Sequence, residues 1–213
     1  MKITKLGHCC LVIEAKGLTI LTDPGAWTTE QNEVKNIDVV LITHEHMDHL
    51  HVESVKTVLA NNPGAVVVTN SGVGAILDKA GIAHKLLEKG QSETIKDILL
   101  ESYECPHGAI YDGITMPQNT GYRLDRKLFY PGDSFTNPQV AVEVLALPVA
   151  GPWMKISEAI DFAKAVKPRV CFPVHDGMIK HEIAGAFHGI AKHIIEQHGI
   201  QVVPLGAGES AEF

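Results

Sequence analysis

The run Ile37–Ile42, apolar but for Asp38, leads directly into Thr43-His44-Glu45-His46-Met47-Asp48-His49. Its β-branched composition and short length predict a buried strand, so the polar heptapeptide must emerge where that strand leaves its sheet. Three imidazoles and a carboxylate then sit within six positions at one sheet edge. Neutral imidazole is the commonest protein ligand for zinc and its neighbours, and carboxylate oxygen completes such a shell. His44 and His46 are two apart and leave an extended segment on the same face. Asp48 and His49 follow after the chain has turned, and face a second position close by. A loop of this kind needs a rigid sheet behind it, which constrains the rest of the chain.

Along the chain, Ile3–Leu6, Cys10–Glu14 and Leu18–Thr22 predict short strands broken at Gly7 and Gly17. A helix is expected from Val52 to just before Asn61, a strand over Ala65–Thr69, and a helix over Ser71–Lys79 ended by Gly81. Further strands are expected over Ile98–Tyr103, Thr120–Leu124, Lys127–Tyr130, Leu145–Val149 and Arg169–Val174. Helical spacing marks 156–166, with Ser157 as its cap and Pro168 as its stop, and again Lys180–His198. Gln201–Pro204 is expected to close the chain as a strand. Strands alternating with helices predict an α/β layered fold.

At 213 residues, 45% of them hydrophobic, the chain can bury a sizeable core, and one domain over 1–213 is expected. A net charge of −7 argues against a general nucleic-acid footprint, which needs clustered Lys and Arg. No apolar segment reaches the ~18 residues of a membrane span, and the start lacks a signal-peptide core. Cys9, Cys10, Cys105 and Cys171 form no Cys-x-x-Cys pair, which predicts reduced thiols, small buried side chains and a cytoplasmic setting.

Five short motifs stand in a fixed order: Leu21-Thr22-Asp23-Pro24, the His44–His49 loop, Pro106-His107-Gly108, Tyr130-Pro131-Gly132-Asp133-Ser134 and Pro173-Val174-His175-Asp176-Gly177. Together they resemble the His-x-His-x-Asp-His signature and accompanying motifs of the metallo-β-lactamase fold superfamily, along almost the whole chain. The resemblance implies a four-layer αβ/βα sandwich with two metals at one edge of paired sheets. It places His44, His46 and His107 on a first metal, Asp48, His49 and His175 on a second, and Asp133 between them. Asp23 would orient a ligating imidazole through its free N–H. Two divalent ions are implied, with zinc the first choice and manganese or iron the alternatives, because every ligand so assigned is nitrogen or oxygen.

The implied activity is a metal-dependent hydrolase that activates water against a small ester, lactone or phosphodiester. Asp48 and His8, the latter in the turn Gly7-His8-Cys9-Cys10, are the expected catalytic side chains. The compact branch containing ascorbate-6-phosphate lactonase and N-acyl-phosphatidylethanolamine phospholipase D is the most similar. Several relatives in it carry a polar residue or histidine near Gly151-Pro152-Trp153-Met154, where this chain has Pro152 and Trp153. Trp27 and Trp153 are candidates to wall the pocket or to pack beside it. Two rival functions use the same scaffold: iron-dependent redox or sulfur chemistry, and a non-catalytic metal-binding module. His46 weighs against the redox alternative, because a glutamate there would suggest a diiron centre.

Overall fold

A computed structural model describes the backbone of all 213 residues and every side chain but that of His181. The first half begins as a meander, β1 (Lys2–Gly7), β2 (Cys10–Ala15) and β3 (Leu18–Thr22), paired antiparallel. β4 (Val39–Leu41), β5 (Val66–Thr69) and β6 (His84–Leu86) then add in parallel, joined by α1 (Val52–Asn61) and α2 (Ser71–Lys79). The second half repeats the plan. β7 (Ser92–Ile95), β8 (Ile98–Glu104), β9 (Thr120–Leu124) and β10 (Leu128–Tyr130) are antiparallel. β11 (Val144–Pro148), β12 (Val170–Val174) and β13 (Gln201–Val202) are parallel, with α3 (Ile156–Val166) and α4 (His181–Glu196) as crossovers. β14 (Ser210–Glu212) returns to the first sheet beside β1.

The strand orders are β14-β1-β2-β3-β4-β5-β6 and β13-β12-β11-β10-β9-β8-β7. Three apolar clusters define the layers. Ile3, Ile13, Leu41, Leu100, Tyr122, Val144 and Phe172 meet between the sheets. Val40, Ile42, Val55, Val58, Val73 and Leu77 bury the other face of the first sheet under α1 and α2. Leu145, Leu147, Ala159, Ala163, Ala191 and Ile195 do the same for the second sheet under α3 and α4. β4, β10 and β12 are buried throughout, as strands covered on both faces must be. The result is the expected four-layer αβ/βα sandwich.

Several local expectations need correction. The α3 cap is Lys155, not Ser157: the Lys155 N–H donates to the Glu158 carboxylate three residues on (2.6 Å), so the acid reaches back where no cap hydroxyl is available. The terminal strand stops at Val202, and β14 closes the other sheet eight residues later. β6, β7 and β14 were not expected, because three or four partly exposed residues at a sheet margin carry no apolar run.

Candidate metal centre

Every motif residue sits just past the end of a strand, on the same margin of the two sheets. Asp23 directly follows β3, β4 delivers Thr43–His49, β8 leads to His107, β10 to Asp133 and β12 to His175. His8 occupies the β1–β2 turn. His8, Asp23 and His175 all hold left-handed backbone (φ 48°, 38° and 59°), a strained conformation kept only where the surroundings fix it.

Asp23 fixes much of those surroundings. Its Oδ1 accepts the Thr43 N–H (2.8 Å), and its Oδ2 accepts from Thr43 Oγ1 (2.8 Å), the Tyr130 hydroxyl (2.6 Å) and His49 Nδ1 (2.7 Å). Gly25 completes the turn below, where a Cβ would lie 1.9 Å from the Asp48 carbonyl oxygen. Asn70, the cap of α2, donates to the Thr43 carbonyl (2.8 Å). Asn119 staples two loops by donating to the Cys105 and Pro131 carbonyls (2.7 and 2.9 Å) and accepting the Asp133 N–H (3.2 Å). Neither asparagine stands in a motif, so nothing in the sequence singled them out.

The tautomers follow from these partners. His49 donates Nδ1–H to a carboxylate, and His107 and His175 donate Nδ1–H to the carbonyls of Gly108 and Ala150. Thr43 Oγ1 spends its proton on Asp23, so at 3.0 Å it accepts from His44 Nδ1. All four imidazoles therefore turn Nε2 inward. Those four Nε2 atoms and Asp133 Oδ1 are buried without hydrogen-bond partners. Orphaned groups of this kind, in a protein interior that normally satisfies its polar atoms, are what a metal ion would fill.

The atoms converge in two groups. His44, His46, His107 and Asp133 offer ligand atoms within 4.8 Å of one another. Around Asp133, His107 Nε2 and His44 Nε2 stand 3.4 and 3.9 Å from Oδ2, while His175 Nε2 stands 2.8 Å from Oδ2 and His49 Nε2 3.1 Å from Oδ1. Asp48 Oδ2 lies 3.5 Å from His175 Nε2 and 3.8 Å from His49 Nε2. The side chains assigned from the motifs thus gather around Asp133, and the donor set fits metal binding.

Electrostatics agree. Burial opposes ionisation of Asp133, but His49 and His175 prevail and hold its carboxyl well below the usual range. Asp48 is likewise held at about 2, against burial, by the His8 hydrogen bond and the charges of His49 and His175. Burial lowers His44 well below the ordinary imidazole value, reinforced by His49. Both carboxylates are charged and His44 is neutral at neutral pH, the states that ligands require. At His49 and His175, by contrast, Asp133 and Cys9 outweigh burial and raise the rings above the ordinary imidazole value, so an ion bound there displaces ring protons.

His8 does not face open space. It is buried, its Nδ1 accepts the Gly177 N–H (3.0 Å), and its Nε2–H therefore donates to Asp48 Oδ2 (3.1 Å). Burial disfavours a second proton on the ring, while Cys9 and Asp48 favour one up to about 9. The Gly177 amide aimed at Nδ1 opposes it, and a single proton on Nε2 satisfies both contacts. Trp27, 44% exposed, tilts over His8 with ring centres 4.6 Å apart. Trp153 is buried edge-on against His107 and His175 (5.8 and 5.9 Å), so it packs behind the ligands. His188 is buried beside Asp176 (3.2 Å), and the side chain of His181 lies outside the described residues.

All four cysteines are free and buried. Cys10, Cys105 and Cys171 have thiols pushed up by burial and pack in the core as small hydrophobes. Cys9 differs: burial resists its ionisation, yet His8, His49 and His175 bring it down to about 6. Among the described residues, no helix is long and apolar enough to cross a membrane.

Comparison with known proteins gives the family. Residues 2–175 match the family model described as a beta-lactamase superfamily domain. Protein Rv0786c of Mycobacterium tuberculosis is 31% identical over 194 residues, covering 89% of this chain and 90% of that one. A UPF0173 metal-dependent hydrolase of Thermoplasma volcanium is 27% identical, over 82% of this chain and 83% of its own. Among solved structures, the metallo hydrolase Igni18 of Ignicoccus hospitalis superposes with a TM-score of 0.77 at 24% identity, covering 100% of this chain and 98% of that one, which speaks for the fold alone. The chain therefore belongs to the beta-lactamase superfamily, among relatives that carry the name of metal-dependent hydrolases.

Proposed function

We propose that this chain is a metal-dependent hydrolase, one domain over residues 1–213, that uses a pair of divalent ions against a small ester, lactone or phosphodiester. The carrying observation is the convergence of four partnerless buried Nε2 atoms on Asp133. His44, His46 and His107 would hold one ion, Asp48, His49 and His175 the other, and Asp133 both. When bound, such a pair lowers the pKa of water and polarises the scissile carbonyl or phosphoryl oxygen. Zinc is the first choice for an all-nitrogen and oxygen position, manganese or iron the alternatives.

The chain's own groups do the positioning. Asp23 holds His49 and, through Thr43, His44, so the ligands are set before any ion arrives. His8 keeps Asp48 Oδ2 pinned, which leaves Oδ1 of Asp48 to take a proton and return it to the leaving group. His8 is then a positioning residue for Asp48. Trp27 and Met47, 44% and 65% exposed on the loops beside these ligands, supply apolar surface for the non-reacting part of the substrate.

The test is removal of metal by chelation, add-back of zinc, manganese or iron, and assay with phosphodiester and lactone substrates. Activity is expected to disappear and return. Absence of hydrolysis with all three ions restored would overturn the reading, and iron content with oxygen consumption would point to redox chemistry instead.

A further inference from the structure

Cys9 is the side chain at this site that the hydrolytic reading leaves unused. It follows His8 in the β1–β2 turn and is 2% exposed. Its Sγ and one ring nitrogen from each of His8, His49 and His175 all lie within 4.8 Å of one another. Its backbone is held, because the Cys9 carbonyl accepts from Thr22 Oγ1 (2.9 Å) and packs 2.9 Å from the Tyr130 hydroxyl oxygen, whose proton goes to Asp23. Two members of the set, His49 and His175, present Nε2 atoms that are buried and without partners. The sulfur therefore stands beside the rings of two imidazoles whose Nε2 atoms lack partners.

We propose that Cys9 is a thiolate ligand to the ion held by His49 and His175. The inference rests on the metal-dependent reading and adds to it: the second position has nitrogen, oxygen and sulfur donors, whereas the first has nitrogen and oxygen alone. The thiol proton passes to solvent as the metal–sulfur bond forms. With zinc–sulfur and zinc–nitrogen bonds of about 2.3 and 2.1 Å, sulfur and nitrogen on a shared ion stand about 3.6 Å apart in a tetrahedral shell and about 4.4 Å apart when opposed. The atoms of the set lie within 4.8 Å of one another, so the widest pair closes by up to about 1.2 Å to share a tetrahedral ion. Thiolate is a soft donor, so this position selects zinc, cobalt or cadmium over manganese, while the first position discriminates less.

The experiment loads the full-length protein with two equivalents of Co²⁺, verified by elemental analysis, and records its near-ultraviolet absorption. A sulfur-to-cobalt charge-transfer band is expected, and Cys9→Ser should abolish it while retaining the weaker visible transitions of cobalt. Cadmium affinity of Cys9→Ser at one of the two positions is expected to fall at least about tenfold, since even changes one shell further out cost that much. If the serine variant does not fold, the band in the wild type decides. Two bound cobalt ions with no such band, or a band that survives Cys9→Ser or Cys9→Ala, would overturn the assignment and leave the hydrolase reading intact. Failure to bind cobalt at all would overturn both.

Discussion

The two halves of the metal centre are built differently. His44, His46 and His107 come from two loops; His44 and His107 are buried and His46 is only half-buried, so this side opens outward at His46. His49 and His175 are almost wholly buried, and around them stand Asp23, Tyr130, Cys9, His8 and Gly177. The first side is held in place mainly by Thr43, Asn70 and Asn119 through backbone carbonyls and amides. The second is held by a buried carboxylate and by a turn whose Gly177 packs on His8, where a Cβ would come within 3.0 Å of the ring. An opening at His46 suits exchange of substrate and water, and the buried, multiply tethered pair His49 and His175 suits a permanent ion.

The largest effect expected from breaking this arrangement comes from Asp133→Ala. It removes the anion between both groups, and kcat/KM should fall by at least about a thousandfold, more than for any single histidine change, with metal content reduced at both positions. A sharper comparison sets His107→Ala against His175→Ala. Each should retain about one ion per chain by elemental analysis, and equal loss of both ions in both variants would show that the halves are not separable.

Asp23→Asn ranks next. His49 loses its charged partner, and affinity at the second position should drop about 10- to 100-fold, with a smaller loss at the first, which Asp23 reaches only through Thr43, as measured by metal titration. Lys5 supports the same side from further away: it is buried, donating to the Asp176 carboxylate at 2.6 Å and the Pro173 carbonyl at 3.0 Å, on the strand end and loop that flank His175. Lys5→Met leaves Asp176 charged in a poorly solvated place and should cost about 3–5 kcal/mol of stability in denaturant titration. The Asp176 carboxyl sits below its ordinary value because His188 and Lys5 outweigh burial. Its contribution to stability is therefore present above the unfolded-state pKa and is lost as pH falls through the lower folded value. In Lys5→Met the wild-type loss of stability on acidification should be blunted. The smallest effect belongs to Trp27→Ala, expected to raise KM severalfold with kcat little changed, since the half-exposed ring lies over His8.

Much of this was legible in the residues. The run into His44–His49 predicted a strand ending in ligands, and β4 ends there because an apolar triplet buried on both faces cannot extend into charged residues. The order of five motifs located the seven converging side chains, since each is a short local pattern at a strand end. Strand pairing at the margins, the true cap of α3 and the closing role of β14 were not legible, because each depends on a partner distant in the chain. The same holds for Asn70 and Asn119, common residue types whose importance lies in the carbonyls they reach.

What the sequence determined by itself was therefore the kind of donor and the place of each donor along the chain. Composition and spacing fix which atoms are available and which strand ends carry them. Only the tertiary structure decided their states. Nε2 is the free nitrogen of His49 and His175 because Nδ1 meets an acceptor from a distant segment, Asp23 and Ala150, and of His44 and His107 because the local fold turns Nδ1 onto the neighbouring Thr43 and Gly108. His8 faces Asp48 because a glycine amide 169 residues away occupies its other nitrogen. Cys9 lies beside two unpartnered imidazoles while Cys10, its neighbour in sequence, is buried among aliphatic side chains on the opposite face of the sheet. Tautomer, ionisation and reactivity depend on what surrounds an atom, and that is set by packing between segments far apart in the chain.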